Sequence, residues 1–319
     1  MNSILNGVKK EAVPPKKLQQ KKQRIAKIAC DLVDECIEKY PQVVGFELGG
    51  SYAKGTWVPE KPVDNVDIDI FVKFNKKTSE KDFRNIGTEI GFESLKKYKP
   101  YTRHAEHPFV EAIIDGTRVN VVPCYDVNKG EWKSATDRSI YHTKFMLQKL
   151  SNSMKGDVRI LKKFLQHIEV YGAEIAKEGF SGYVTEALIF YFGSFEKTIK
   201  KISELKKGQV IGKSTKKFDS FVVIIDPIDN NRNLGTAISI ENLGKFVLAS
   251  RAFLRNPSKN FFKKPISKRI MRNTDKIIVV QFKVKERSDD IVWGQIKRAS
   301  NALKTQLELG GFTVLRNSS

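Results

Sequence analysis

Apolar residues at Ile25, Ile28, Leu32 and Cys36 recur at helical spacing and predict an amphipathic helix over Lys22–Tyr40. The stretch before it, residues 1–21, is rich in Lys, Gln and Pro and reads as a loose lead-in. Val43–Leu48 reads as a strand broken by Gly49-Gly50, and Val66–Phe74 as another, with Val66, Ile68, Ile70 and Val72 on one face. Lys81–Lys97 has the pattern of a helix. Phe109–Ile114 and Thr117–Val122 flank Asp115-Gly116, a dipeptide that closes two-residue hairpins. Up to Tyr125, a small α+β unit on a mostly antiparallel or mixed sheet is expected.

Beyond Asp137 the period changes to helical. Arg138–Leu150, Lys155–Ile168 and Tyr183–Leu205 space their apolar residues by three and four. Lys206–Lys217 reads as a Gly/Lys-rich connection, Phe221–Ile225 as a short buried strand ending in Asp226-Pro227, and Ile240–Leu254 as a further helix. Arg255–Arg272 is basic and interrupted by Pro and Asn, as a boundary would be. Lys276–Val284, Asp289–Leu309 and Phe312–Leu315 then suggest strand, helix and strand. This divides the chain into residues 1–136, 137–256 and 257–319.

Composition narrows the class of protein. A hydrophobic content of 40% suits a globular chain, and the apolar runs fall far short of the ~20 residues that span a bilayer. The N-terminus lacks the order of a secretory signal. Three cysteines, Cys30, Cys36 and Cys124, form no CxxC and cannot all pair, which fits a reducing compartment. A cytoplasmic protein without a membrane partner is expected. The net charge of +21 calls for a polyanion, nucleic acid first. That charge is uneven: residues 1–150 hold 26 basic and 20 acidic side chains, residues 151–319 hold 31 and 16.

The balanced half carries the chemistry. Leu48-Gly49-Gly50-Ser51-Tyr52-Ala53-Lys54 precedes Asp67-Ile68-Asp69, whose carboxylates are two apart in a strand and project from one face. Carboxylates so close repel unless a positive charge lies between them, and a hard divalent cation such as Mg²⁺ answers that need while bridging to phosphates. Gly50-Ser51 lets a backbone turn approach a triphosphate, with Lys54 as a countercharge. Each piece alone is common in surface turns and sheet faces; the combination is not.

The combination resembles the signature of the polymerase-β-like nucleotidyltransferase superfamily. Further blocks follow in order: His104-Ala105-Glu106-His107-Pro108, Val121-Val122-Pro123-Cys124-Tyr125, Tyr171-Gly172-Ala173-Glu174, Gly179-Phe180-Ser181-Gly182-Tyr183, Tyr191-Phe192-Gly193-Ser194-Phe195, Asp226-Pro227 with Arg232-Asn233, and Val292-Trp293-Gly294-Gln295. From about Lys22 onward the chain thus resembles the class I, archaeal-type CCA-adding enzymes, tRNA nucleotidyltransferases. The resemblance implies an α+β polymerase-β-like catalytic head, a helical central domain and a smaller α/β C-terminal body domain, with the family's tail domain absent or truncated. It implies Mg²⁺ as a pair of ions, ATP and CTP as substrates, and tRNA as partner; a homodimer is left open. Asp67 and Asp69 match metal-binding carboxylates. Gly50, Ser51, Lys54 (more often Arg in the family), His142, Lys162 and Tyr171 match nucleotide contacts, and Arg232 matches the arginine that reads the incoming base. Arg255–Arg272, with Phe261 and Phe262, would hold RNA backbone by charge and stacking.

One departure matters. The family's third metal-binding aspartate precedes Val-Val-Pro-Cys-Tyr, and this chain has Asn120 there, an amide that can ligate a cation but brings no charge. With Asp115-Gly116 as the turn, counting outward places Glu111 opposite Asn120, and cross-strand partners share a face. Glu111 is therefore a candidate for the missing carboxylate. Two rival functions stay open on this basis: a related polymerase adding adenosines only, and a catalytically impaired tRNA-binding protein.

Overall fold

The computed structural model describes residues 1–59, 66–103, 108–263, 280, 281, 283, 287–314 and 317. Alternation along the strands decides how the first sheet is covered. β1 (Val43–Gly49), β2 (Ile68–Asn75), β3 (Tyr101–Arg103), β4 (Phe109–Ile114) and β5 (Thr117–Asp126) lie in the order β1-β2-β5-β4-β3, with only β2 and β5 parallel. Ile68, Ile70, Val72 and Phe74 of β2 and Val119, Val121 and Tyr125 of β5 face one side. There they pack beneath α2 (Lys16–Ile37) and α4 (Glu80–Ser94). The helix α4 approaches closely because it presents glycines. A Cβ on Gly91 would stand 2.4 Å from Val110 Cβ, and one on Gly87 2.8 Å from Pro123 Cβ.

The opposite face is only partly covered. Phe71, Val122 and Cys124 pack under Ile140 of α5 (Asp137–Lys149), leaving the other end of the same face to Asp67, Asp69, Asn120 and Glu111. Buried Asp137 fixes where α5 begins: its carboxylate accepts from the backbone N–H groups of Tyr125, Lys133 and Ser134.

A second core joins α1 (Asn2–Ala12), α6 (Asn152–His167), α7 (Gly182–Phe192), α8 (Phe195–Ser203) and α9 (Ile240–Arg255). A small sheet of β6 (Gln209–Ile211), β7 (Val222–Asp226) and β8 (Asp229–Asn233) closes it, with β6 parallel and β8 antiparallel to β7. Phe164 lies at its centre, ringed by Phe195, Phe246, Phe253, Phe261 and Phe262.

Several expectations need correction. Residues 1–21 are helical rather than loose: Leu5, Val8 and Ala12 of α1 are buried in the second core, and Lys9 pairs with Asp157 at 2.9 Å. The helix expected over Tyr183–Leu205 is two, because Gly193 takes φ +85 as the C-cap of α7 and the Ser194 hydroxyl caps α8 through Lys197 N–H. β6 and β8 fall in or beside stretches read as connection. Phe261 and Phe262 are not available to RNA bases: Phe261 stacks on Phe164 at 5.8 Å and Phe262 is buried. At the C-terminal end α10 runs over Asp289–Leu309 as the spacing predicts, and buries none of its residues. The strand expected over Lys276–Val284 lies largely outside the described residues. Of Phe312–Leu315, residues 312–314 are described and are not strand.

Candidate active site

Register aligns the chemistry in a single row. Gly49 pairs with Asp69, Asp69 with Asn120, Asn120 with Glu111, and Glu111 with Tyr101, so four neighbouring contacts cross all five strands. The Asn120 Nδ2 donates to Asp69 Oδ1 at 2.8 Å, while its own Oδ1 is buried without a partner. Glu111 is buried and accepts from the Tyr101 hydroxyl. Asp67 stands just before β2 on the same face, and Arg118, two residues before Asn120, donates from Nε to Asp67 Oδ1 at 2.6 Å. Burial raises the pKa of both aspartates; the nearby Glu111 charge adds to the rise, and the bonds from Arg118 and Asn120 oppose it.

This donor set fits a hard cation. It consists of carboxylate and amide oxygens, one of them a buried orphan, and it carries more acceptors than donors. Among the described residues no three His, Cys, Asp or Glu side chains are yet gathered at ligating distance, so closing around an ion requires side-chain rotation.

The Gly-Gly turn is held against this row. Gly50 has φ +68, and a Cβ there would stand 1.9 Å from Asp69 Oδ2; the turn can approach the carboxylate only because this residue carries no Cβ. Ser51 lies in the short helix α3 (Gly50–Lys54) that follows. Lys54 is buried and bonds Glu186 of α7 at 2.6 Å, and the Thr56 hydroxyl donates to the other oxygen of Glu186. Burial alone would raise the Glu186 pKa, but Lys54, Lys162 and Thr56 together hold it below the usual carboxylate range. Arg159 of α6 donates to the Gly55 carbonyl at 2.6 Å, a second tie between the turn and the helical layer.

Four groups converge on the buried carboxylate of Asp226 at the end of β7. His142 Nε2 lies 2.9 Å away, the Tyr183 hydroxyl donates at 2.9 Å, Arg232 at 3.1 Å and the Ile228 N–H at 3.1 Å. The His142 and Tyr183 rings stack at 3.7 Å. Burial opposes ionisation of Asp226, yet these bonds outweigh it and lower its pKa; burial likewise lowers that of His142 despite the Asp226 contact. Lys162 of α6 is buried close to Tyr171: a Cβ on Gly182 would lie 3.1 Å from the Tyr171 hydroxyl and 3.7 Å from Lys162 Nζ. Burial pushes the Lys162 pKa down, against the pull of Glu186.

The structure therefore brings Asp67, Asp69, Asn120, Glu111 and Gly50 to one end of the sheet face. It gathers His142 of α5 with Arg232 of β8 at Asp226, brings Lys162 of α6 close to Tyr171, and ties Lys54 to Glu186 of α7. Lys54 is committed to Glu186 rather than free as a countercharge. Sequence reading missed Asp226 as a hub, and also Glu186, Tyr183, Tyr101 and Arg118. Two left a trace. Glu186 interrupts an otherwise apolar helix, and Arg118 shares the period-two face of Asn120.

Two family models match the chain: "Nucleotidyltransferase domain" over residues 29–142 and "tRNA nucleotidyltransferase, second domain" over residues 156–263. The CCA-adding enzyme of Pyrobaculum islandicum is 35% identical, an alignment that covers 99% of this chain and 75% of that protein. The chain belongs to the CCA-adding enzyme family. A second CCA-adding enzyme, from Sulfurisphaera tokodaii, is also 35% identical over 98% of this chain and 74% of its own length. That of Pyrobaculum neutrophilum is 38% identical over 85% and 64%. Among solved structures, Cid1 poly(U) polymerase with Mg and 3′-dATP aligns with a TM-score of 0.61 at 13% identity, over 82% of this chain and 98% of that one. CdnC from E. coli MS115-1 with ATP aligns at 0.58 and 16% identity, over 82% and 94%. Likeness at that identity shows the shared fold: a nucleotidyltransferase sheet joined to a helical layer. Membership of the CCA-adding family brings nucleotide substrates and divalent metal use with it.

Proposed function

We propose that this chain adds C, C and A in turn to the 3′ end of tRNA, drawing on CTP and ATP without a nucleic-acid template. The observation that supports this most directly is the row Gly49–Asp69–Asn120–Glu111, which sets a glycine turn against carboxylates at one end of a sheet face. Asp67, Asp69 and Asn120 are the residues that would hold a pair of Mg²⁺ ions. Bound there, divalent cations would make the primer 3′-hydroxyl more acidic and neutralise the departing pyrophosphate.

The chain's own groups bind and orient. The turn at Gly50 and Ser51 offers N–H groups and a hydroxyl to the triphosphate, and Lys162 with Tyr171 approaches it from the helical layer. Lys54, paired with Glu186, ties the turn to α7 and still sets positive charge near Asp69. His142 and Arg232, both fixed by Asp226, face the base. The 3′-oxygen forms its bond to the α-phosphorus as the bond to the β-phosphate oxygen breaks, its proton passing to solvent and pyrophosphate leaving. The excess basic charge beyond residue 150 lies along the tRNA backbone. No helix among the described residues is long and apolar enough to cross a membrane, and we place the reaction in the cytoplasm.

The test is incorporation on tRNA lacking its last three residues. With CTP and ATP together all three should be added, and with CTP alone the two cytidines. Incorporation of A alone would identify an adenosine-only polymerase. Binding of tRNA with no incorporation at any Mg²⁺ or Mn²⁺ concentration would identify an impaired binding protein.

A further inference from the structure

Asn120 occupies the middle of the carboxylate row and leaves it short of donors. The amide gives one proton to Asp69 and presents a buried oxygen that nothing satisfies; the residue is 6% exposed. Turning the amide over would set its oxygen against Asp69 Oδ1, moving the deficit without removing it. A buried acceptor in this position calls for a partner, and a cation ligated by its oxygen is one that the neighbouring carboxylates would also hold. Asn120 also contributes no negative charge of its own.

The neighbouring strand supplies one. Glu111 is the direct cross-strand partner of Asn120, on the far side from Asp69, and so shares its face. It is 5% exposed, an unusual place for a carboxylate, and among the described residues it enters no ion pair. The hydrogen bond that holds it comes from Tyr101, a neutral hydroxyl at the rim of the sheet. Neighbouring strands lie about 4.8 Å apart, and the extra methylene of glutamate over aspartate gives the side chain reach toward the next strand.

We propose that Glu111 restores the charge that Asn120 lacks, acting as a ligand, direct or through one water, of the hard divalent cation held by Asp67 and Asp69. The carboxylate of this site has moved one strand outward while the amide remains as a neutral ligand between. In the arrangement described, Glu111 rests on Tyr101; binding a cation rotates it toward Asn120 and exchanges a neutral hydrogen bond for a charged contact. This inference rests on the metal-dependent reading given above.

Mn²⁺ binding to the full chain, without nucleotide or tRNA and read by electron paramagnetic resonance of the free ion, tests it apart from activity. Glu111→Gln should weaken Mn²⁺ binding by about 10–100-fold. Combining Glu111→Gln with Asn120→Asp returns the carboxylate to the inner strand and should bring affinity back to within about threefold of the unmodified chain. Mn²⁺ binding unchanged by Glu111→Gln but lost in Asp69→Asn would overturn the role of Glu111 and leave the metal site intact. Binding unchanged in all three of Asp67→Asn, Asp69→Asn and Glu111→Gln would overturn the metal-dependent reading itself. A loss in Glu111→Gln that the double variant fails to restore would mark Glu111 as structural and end the proposal. Should Glu111→Gln alone melt early, the double variant decides by the same criterion.

Discussion

The two carboxylate clusters of the candidate site are built on opposite terms. At Asp226 every oxygen is engaged: an imidazole, a phenol, a guanidinium and a backbone N–H converge on one side chain. Along the Asp69–Asn120–Glu111 row acceptors outnumber donors and a buried oxygen stands alone. The first cluster is finished before any ligand arrives and serves to hold other side chains in place. The second is incomplete as a set of hydrogen bonds, as a site built for a ligand would be. A buried polar network fully satisfied rigidifies a fold, whereas one left short stores a demand that a ligand can meet. In the function proposed above, the first is assigned to orientation and the second to chemistry.

That contrast can be broken most sharply at Asp69. Asp69→Asn should lower nucleotide incorporation by about a thousandfold or more, since it removes charge from the metal-holding site. Its cation-free thermal melt should stay level or rise, because a carboxylate that burial disfavours is lost; a large fall in melting temperature would mean the row stabilises the fold after all.

The next effect concerns the tie between the two halves. Glu186→Gln leaves Lys54 buried without its counter-ion and should cost about 3–5 kcal/mol, measured by urea denaturation. Pairing it with Lys54→Met should recover much of that loss. A smaller cost, about 1.5–3 kcal/mol, is expected for Asp226→Asn, which weakens hydrogen bonds from charged partners. In kinetics the same variant should raise KM for CTP and ATP more than it lowers kcat, as it loosens His142 and Arg232 rather than the reacting atoms. An equal fall in kcat would place Asp226 nearer the chemistry than its position indicates.

The smallest effect is in pH. His142 has its pKa lowered in the folded chain, by burial first, so unfolding takes up a proton that folding excludes. The stability this gives is complete above the ordinary histidine value of 6.5 and falls as pH drops through it toward the lower folded value. Denaturation midpoints measured from pH 7.5 to 5 should decline, and His142→Gln should flatten that part of the curve. A slope unchanged in the variant would assign it to other groups.

What sequence could reveal followed from how local each constraint is. The pairing of Glu111 with Asn120 was legible because a two-residue turn at Asp115-Gly116 leaves no freedom in register, and both turn residues do take positive φ, +49 and +71. The row as a whole needed more, since the parallel pairing of Asp69 with Asn120 spans a crossover that no local signal records. The Asp226 hub was further out of reach, drawing His142, Tyr183 and Arg232 from three separate elements. α1 was misread for a related reason. Leu5, Val8 and Ala12 are spaced three and four apart as in a helix, but the signal is only 11 residues long and lies beside a Lys, Gln and Pro-rich stretch that masks it; the second core covers those three residues. Phe261 and Phe262 mislead in the other direction, because basic neighbours suggested RNA while the rings serve the packing around Phe164.

The contact between Gly50 and Asp69 has a consequence for how variation reads at this site. With less than 2 Å to the carboxylate and a left-handed backbone, a saturation library at position 50 should return glycine alone. Any other residue shifts the loop and the aspartate together, so its phenotype mimics a defect at Asp69 itself. For selection, the two positions behave as one.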